Sequence, residues 1–289
     1  MAQPCGTHQL SGIPPAQVDR VMQQYIFSNP TSVSKREDDD GTFTVTAVFP
    51  PCVDTAASPA APTAGASFAH AISPALTLGA NLKRGFDSNR DCSGLINKIS
   101  AANVEFVARY YSHNHAKNIS PGEAKLLSGA GIEIVAVWES AGNHASFFTR
   151  AQGVDDATSA HNQAMGIGQP PGTPIYFAVD FDASVAELNG GIIPYFQGVA
   201  AGLTTIGHGA PAYAIGVYGS GLVCGRLSSL GLVTHTWLSM SSGWAGSKTY
   251  TDWNIRQHLE GDPFGFGFSV DPDDARDDYG GFRVAVLTS

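Results

Sequence analysis

From Lys83 onward the chain alternates short apolar runs with amphipathic stretches. The runs are residues 85–87, 106–111, 132–137, 175–179, 214–218, 236–238, 254–257 and 268–270. Their length and their β-branched and aromatic content predict eight strands. Helical spacing predicts helices over about 92–102, 120–130, 150–167, 190–206 and 220–230. Strands alternating with helices predict a parallel sheet, and eight strands predict closure into a (β/α)8 barrel. An open, doubly wound sheet is the alternative. No GxGxxG or GxxxxGKS/T follows any run, so nucleotide binding has no motif behind it. The segments after Trp237 are too short for full helices, so the last two units are expected to be degenerate.

Residues 1–53 have a different texture. Pro14 and Pro15 sit where a helix starts, and Val18, Val21, Met22, Tyr25 and Ile26 follow at helical spacing. Residues 32–36 and 42–49 are rich in β-formers and flank Glu37-Asp-Asp-Asp-Gly41, a turn of the Asp-Gly type. A small helix-plus-hairpin module results. It buries little apolar surface alone and is expected to lean on the barrel or on a partner. Residues 54–82 are dominated by Ala, Pro, Ser, Thr and Gly and predict a linker. The expected class is therefore α/β: a TIM-like barrel over 83–289, after an α+β module (1–53) and a linker (54–82).

A net charge of −9 across 289 residues, with only 16 Lys and Arg, argues against nucleic acid as a partner, since phosphate binding needs a basic face. No apolar run reaches the roughly 18–20 residues that span a bilayer. The opening MAQPCGTHQL lacks the charged and apolar regions of a signal peptide. None of Cys5, Cys52, Cys92 and Cys224 forms a CxxC pair, so no structural zinc is expected. Cys5 and Cys52 bracket the first module and admit a disulfide as readily as two free thiols. Cys92 and Cys224 are expected to pack as small apolar groups.

The strand ends carry the candidate chemistry. Asp87 ends the first, and Arg109, Tyr110 and Tyr111 end the second. Trp138 and Glu139 follow the third, Asp180 and Asp182 the fourth, and Tyr218 ends the fifth. Trp237, Gln257 and Asp271 mark the last three. In a barrel these ends converge on one face, where this fold places its sites. Carboxylates bond sugar hydroxyls and aromatic faces stack on sugar rings. Glycoside hydrolysis uses two carboxyl groups, and crowding raises the pKa of one of them. Any single Asp after a strand serves equally well as a turn former or helix cap. Asp180-x-Asp182 is harder to dismiss, because residues two apart on a strand share a face. Residues 271–278 otherwise read as a solvated acidic loop. His113-Asn-His115 reads as a polar loop, and Ser220 in Gly219-Ser220-Gly221 does not meet the nucleophile-elbow pattern. No spaced Asp/Gly loop calls for a metal, and no cofactor is expected.

The motifs GFDSN, FVARYYS, SPGEAKLLSGAGIEIVAVWE, PIYFAVDFD and IGVYGSG resemble, in that order, the bacterial glycoside-hydrolase-like domain related to the family 25 lysozymes. The resemblance covers about residues 83–282. It implies a TIM-like barrel with an acidic groove that acts on peptidoglycan glycan at the cell envelope, reached by export or delivery. In the lysozymes an Asp-x-Glu supplies the key carboxylates; the matching positions are Asp180 and Asp182. Asp in place of Glu retracts the acid by about 1.5 Å, and a misplacement of that size costs about a hundredfold in rate. The resemblance thus implies Asp182 or Glu139 as proton donor, with Asp180 stabilising the charged centre. Asp87 joins the catalytic group. Asp271, Arg109, Tyr110, Tyr218, Trp237 and Gln257 are expected to bind the sugar. A glycan-binding protein without turnover, and a delivered cell-wall toxin or lysin, are the alternatives.

Overall fold

A computed structural model describes residues 7–13, 15, 32–38, 41–48 and 82–286. The chain divides into two units, Met1–Ser73 and Pro74–Ser289. In the first, β1 (Thr7–Ile13), β2 (Ser32–Glu37) and β3 (Phe43–Val48) form an antiparallel sheet in the order β1-β3-β2. β2 and β3 make the predicted hairpin, in unbroken register from Ser32↔Val48 to Glu37↔Phe43. Its turn needs Gly41 at φ +80°, a left-handed conformation that glycine adopts without strain. β1 adds a strand the pattern did not predict, its register broken between Leu10 and Ile13. The helix expected after Pro14, the linker, Cys5 and Cys52 lie outside the described residues.

The second unit is a closed barrel in the order β10-β11-β4-β5-β6-β7-β8-β9. β4 (Lys83–Ser88), β5 (Phe106–Tyr111), β6 (Glu133–Trp138) and β7 (Pro174–Ala178) are joined in parallel. β8 (Ala214–Gly219), β9 (His235–Leu238) and β10 (Ile255–Gln257) continue in the same direction. Helices α1 (Ile96–Ala101), α2 (Pro121–Gly129), α3 (Arg150–Ile167), α4 (Ile193–Ile206) and α5 (Gly221–Ser229) fill the connections as far as β9. Ser120, Thr149 and Ser220 cap α2, α3 and α5 by accepting the N–H three residues on. Ser220 is thereby a helix cap. Among the described residues no helix is long and apolar enough to cross a membrane.

One strand departs from the prediction. β11 is Asp271–Ala275, later than the predicted 268–270, and it runs antiparallel to both β10 and β4. A parallel return needs a crossover, usually helical. Residues 258–270 instead form a loop of Gly, Pro and Phe. The Asp262 carboxylate gathers that loop by accepting the N–H of Phe266 at 2.7 Å and of Gly267 at 2.8 Å. Phe266 meets Phe86 edge-on at 5.3 Å and covers the outer face of β4, where a helix would otherwise sit.

Strand parity divides the core in two. Val107, Tyr111, Ile134, Ala136, Ile175 and Phe177 face the helices. Phe106, Ala108, Val135, Val137, Tyr176 and Trp237 fill the lumen. Large lumen rings fit because small residues oppose them: a Cβ on Gly85 would lie 2.4 Å from the Phe106 ring, and one on Gly216 2.6 Å from Tyr176. The lumen is thus packed, and barrels of this kind build their sites at the carboxyl ends of the strands.

Candidate active site

Asp87 is held from both sides at those ends. It is 3% exposed. Tyr110 Oη donates to its Oδ1 at 2.8 Å and Gln257 Nε2 to its Oδ2 at 2.7 Å. The amide of Gln257 is oriented in turn, because its Oε1 accepts from Tyr218 Oη at 2.9 Å and from the Met240 N–H at 3.3 Å. Four strand ends and one loop are thereby joined through one carboxyl group. Burial, and then the charge of Asp271, raise Asp87 to about 7 against the two donated hydrogen bonds.

Asp271 reaches the site although its strand runs the other way. In an antiparallel neighbour the first residue lies beside the partner's last turn, and Asp271 pairs in register with Asp87. It is half-buried, and burial followed by the charge of Glu260 raises its pKa.

Glu139 follows β6 directly, its N–H donating to the Tyr111 carbonyl. Its Oε1 lies 3.2 Å from Lys117 Nζ. Lys117 also stands over the Tyr110 ring at 4.8 Å, a favourable cation–aromatic arrangement. Asp180 is anchored by its backbone N–H to the Gly142 carbonyl. The residue as a whole is exposed, yet partial desolvation of its carboxyl raises its pKa. Glu139 and Asp271 add to that rise and Lys117 opposes it. Asp87, Glu139, Asp180 and Asp271 thus share one electrostatic environment, with Lys117 as its cation.

Three predicted site residues lie elsewhere. Asp182 is not on a strand with Asp180, because β7 stops at Ala178. It is exposed, and its Oδ1 accepts the Ala245 N–H at 2.8 Å. Arg109 faces the helices, not the groove. It is 1% exposed and binds Glu123 of α2 through Nε at 2.6 Å and Nη2 at 3.1 Å. Its Nη1 donates to the carbonyls of Ser88 and Lys117, so it ties β5 to the loops around the site. Trp237 is buried in the lumen, edge-on to Tyr218 and Tyr176. It forms a floor and offers no wall to a sugar.

Two residues were missed. Lys117 carries no motif. Asp273 was read as part of a solvated loop, but it is 2% exposed in the lumen, two residues along β11 from Asp271. Trp237 Nε1 donates to its Oδ1 at 2.9 Å, and its Oδ2 has no hydrogen-bond partner. Burial and the charge of Asp87 push its pKa well up. His113 is exposed beside the Trp138 ring and His115 lies in a short turn. No cluster of three metal-type ligands occurs among the described residues. Cys92 and Cys224 are buried free thiols.

A model of the family described as Rv2525c-like, glycoside hydrolase-like domain matches residues 97–275. The uncharacterized protein YbfG of Bacillus subtilis (strain 168) is 39% identical over 145 residues, covering 48% of this chain and 20% of that protein. The uncharacterized protein FadG of the same strain is 32% identical over 157 residues, covering 53% of this chain and 27% of that one. The chain thus spans under a third of either relative. Among solved structures, the Tat-secreted protein Rv2525c of Mycobacterium tuberculosis, in complex with L-tartrate, superposes with a TM-score of 0.57 at 23% identity. That match covers 70% of this chain and 99% of that one. The likeness is one of fold.

Proposed function

We propose, from the premise that the chain belongs to the family of Rv2525c-like, glycoside hydrolase-like domains, that its groove hydrolyses the glycan of bacterial peptidoglycan in the manner of a muramidase. The observation that carries this reading is the division of labour among the four carboxyl groups. Glu139 is paired with Lys117, whereas Asp180 has a raised pKa and no ion-pair partner among the described residues. An acid with a raised pKa beside an ion-paired carboxylate is the pairing that glycoside hydrolysis uses.

In this mechanism Asp180 donates its proton to the departing glycosidic oxygen as the bond to the anomeric carbon breaks. Glu139 faces the positive charge that develops on the ring and takes the proton of the incoming water. Asp87 and Asp271 hold sugar hydroxyls, and Tyr110 and Tyr218 border the ring. Asp182, with its Oδ1 bound to a backbone N–H, is given no proton transfer in this mechanism. Action at the cell envelope follows from the substrate, and Rv2525c is itself a Tat-secreted protein.

A second reading, glycan binding without turnover, is favoured by one observation. The residue at the position where the related lysozymes carry their acid is engaged with Ala245. Incubation with purified peptidoglycan decides between them. Hydrolysis releases reducing ends, and Asp180→Asn abolishes that release while binding persists. Co-sedimentation with peptidoglycan and no release by the unaltered protein selects the second reading. Neither binding nor release overturns both.

A further inference from the structure

We infer that Asp182 is a positioning residue: it clips the loop after β9 in place, and that loop presents Trp244 to a sugar ring. The inference rests on the glycan reading for its ligand, but the clip stands on geometry alone. Asp182 Oδ1 accepts the Ala245 N–H at 2.8 Å, a contact between residues 63 apart in sequence. The other side of Ala245 is held as well, its carbonyl accepting from the Leu222 N–H at 2.8 Å. Ser247 Oγ accepts from the Gly221 N–H at 3.1 Å. The middle of the loop is therefore fixed between the β7 connection and the start of α5. Its near end is fixed to the site, since the Met240 N–H donates to the same Gln257 oxygen that orients the amide on Asp87.

Trp244 sits between these two anchorages, next to the clipped residue. Of the four tryptophans, Trp138, Trp237 and Trp253 are buried. Trp244 is partly exposed. Met240, on the same loop, is 37% exposed. A partly exposed aromatic residue on a loop held at both ends is preorganised to stack on a pyranose, because little conformational freedom remains to be lost on binding. Asp182 thus acts through the loop and does not touch the reacting atoms.

Two substitutions separate a mechanical role from an acid role. Asp182→Asn keeps an oxygen that accepts the Ala245 N–H; Asp182→Ala removes it. Amide hydrogen exchange on the full chain, without glycan, reads the clip directly. Loss of the acceptor oxygen is expected to speed exchange at Ala245 by about tenfold or more in Asp182→Ala, and little in Asp182→Asn. Acrylamide quenching of tryptophan fluorescence reads the ligand, because Trp244 is the least buried of the four tryptophans. Solubilised peptidoglycan glycan strands are expected to shield it in the unaltered protein and in Asp182→Asn. In Asp182→Ala the same shielding is expected to need about tenfold more glycan. Where turnover is measured, Asp182→Ala raises KM and leaves kcat largely in place. Unchanged exchange in Asp182→Ala overturns the clip. Loss of kcat in Asp182→Asn, with exchange and shielding intact, overturns it in favour of Asp182 as the acid. Faster exchange in Asp182→Ala with no shielding in the unaltered protein keeps the clip and rejects Trp244 as a glycan contact. If peptidoglycan is nonetheless bound or cleaved, the glycan reading survives that loss.

Discussion

Asp271 lies in register with Asp87, the two carboxyl-bearing residues side by side on strands that run in opposite directions. The charge of Asp271 is the largest neighbouring influence that raises Asp87, second only to burial. Removing that charge must therefore ease the ionisation of Asp87. Asp271→Asn is expected to bring the Asp87 transition down from about 7. Carboxyl-carbon NMR across a pH titration measures it, with Asp87→Asn assigning the resonance. A transition that stays in place, or rises, contradicts the arrangement.

The same group ties stability to pH. The Asp87 carboxyl is raised from an ordinary 3.8 to about 7 in the folded protein. The folded state then binds the proton more tightly than the unfolded chain does, so stability is fullest near pH 4 and declines as pH rises toward 7. The slope is about 1.4 kcal/mol per pH unit for each such group. Asp273, raised in the same direction, adds to the decline. Urea unfolding at intervals between pH 4 and 8 tests this. Asp87→Asn and Asp273→Asn should each flatten the slope. A protein whose stability climbs across that range would contradict both assignments.

Parity explains much of what the sequence did and did not disclose. Asp87, Tyr110, Tyr218 and Gln257 were legible because each ends a strand on its lumen side. The same alternation places Arg109 outside once Ala108 and Tyr110 face inward, so the error there lay in reading the strand end without its parity. Asp182 misled for a different reason: the two-residue rule holds on a strand, and β7 ends at Ala178. Asp273 was hidden by the reversal of β11, since Asp271-Pro-Asp-Asp has the composition of a turn. Lys117 enters the groove only because the chain after β5 folds back, with the Ile119 N–H donating to the Tyr110 carbonyl. No local pattern records a return of that kind.

The buried pair behind the groove predicts a pattern of its own. Arg109 and Glu123 are 1% and 0% exposed at the side chain and joined by two hydrogen bonds. Glu123 also accepts the Cys92 N–H at 2.9 Å. Removing either partner strands a charge in the interior, at a cost of about 3–5 kcal/mol. Arg109→Met and Glu123→Leu should each destabilise by that order, and the double variant by less than the sum. Chemical denaturation of the three variants closes the cycle. Simple additivity would show that the two groups are not coupled as their geometry requires.

Lys117 predicts the direction of a pH–rate shift. It pairs with Glu139 at 3.2 Å and covers the Tyr110 ring, and its charge holds the Asp180 carboxyl lower than burial and Glu139 alone would leave it. Lys117→Met keeps an apolar stem against Tyr110 and removes the charge. Asp180 must then hold its proton to higher pH. If Asp180 is the acid, the alkaline limb of kcat/KM for peptidoglycan reports the loss of that proton, and it should move upward in Lys117→Met. Glu139 loses the cation that holds its carboxylate in place, so the maximal rate should fall as the limb moves. A limb that stays in place would mean that the proton lost there belongs to a group Lys117 does not influence, and the donor would have to be sought at Asp87.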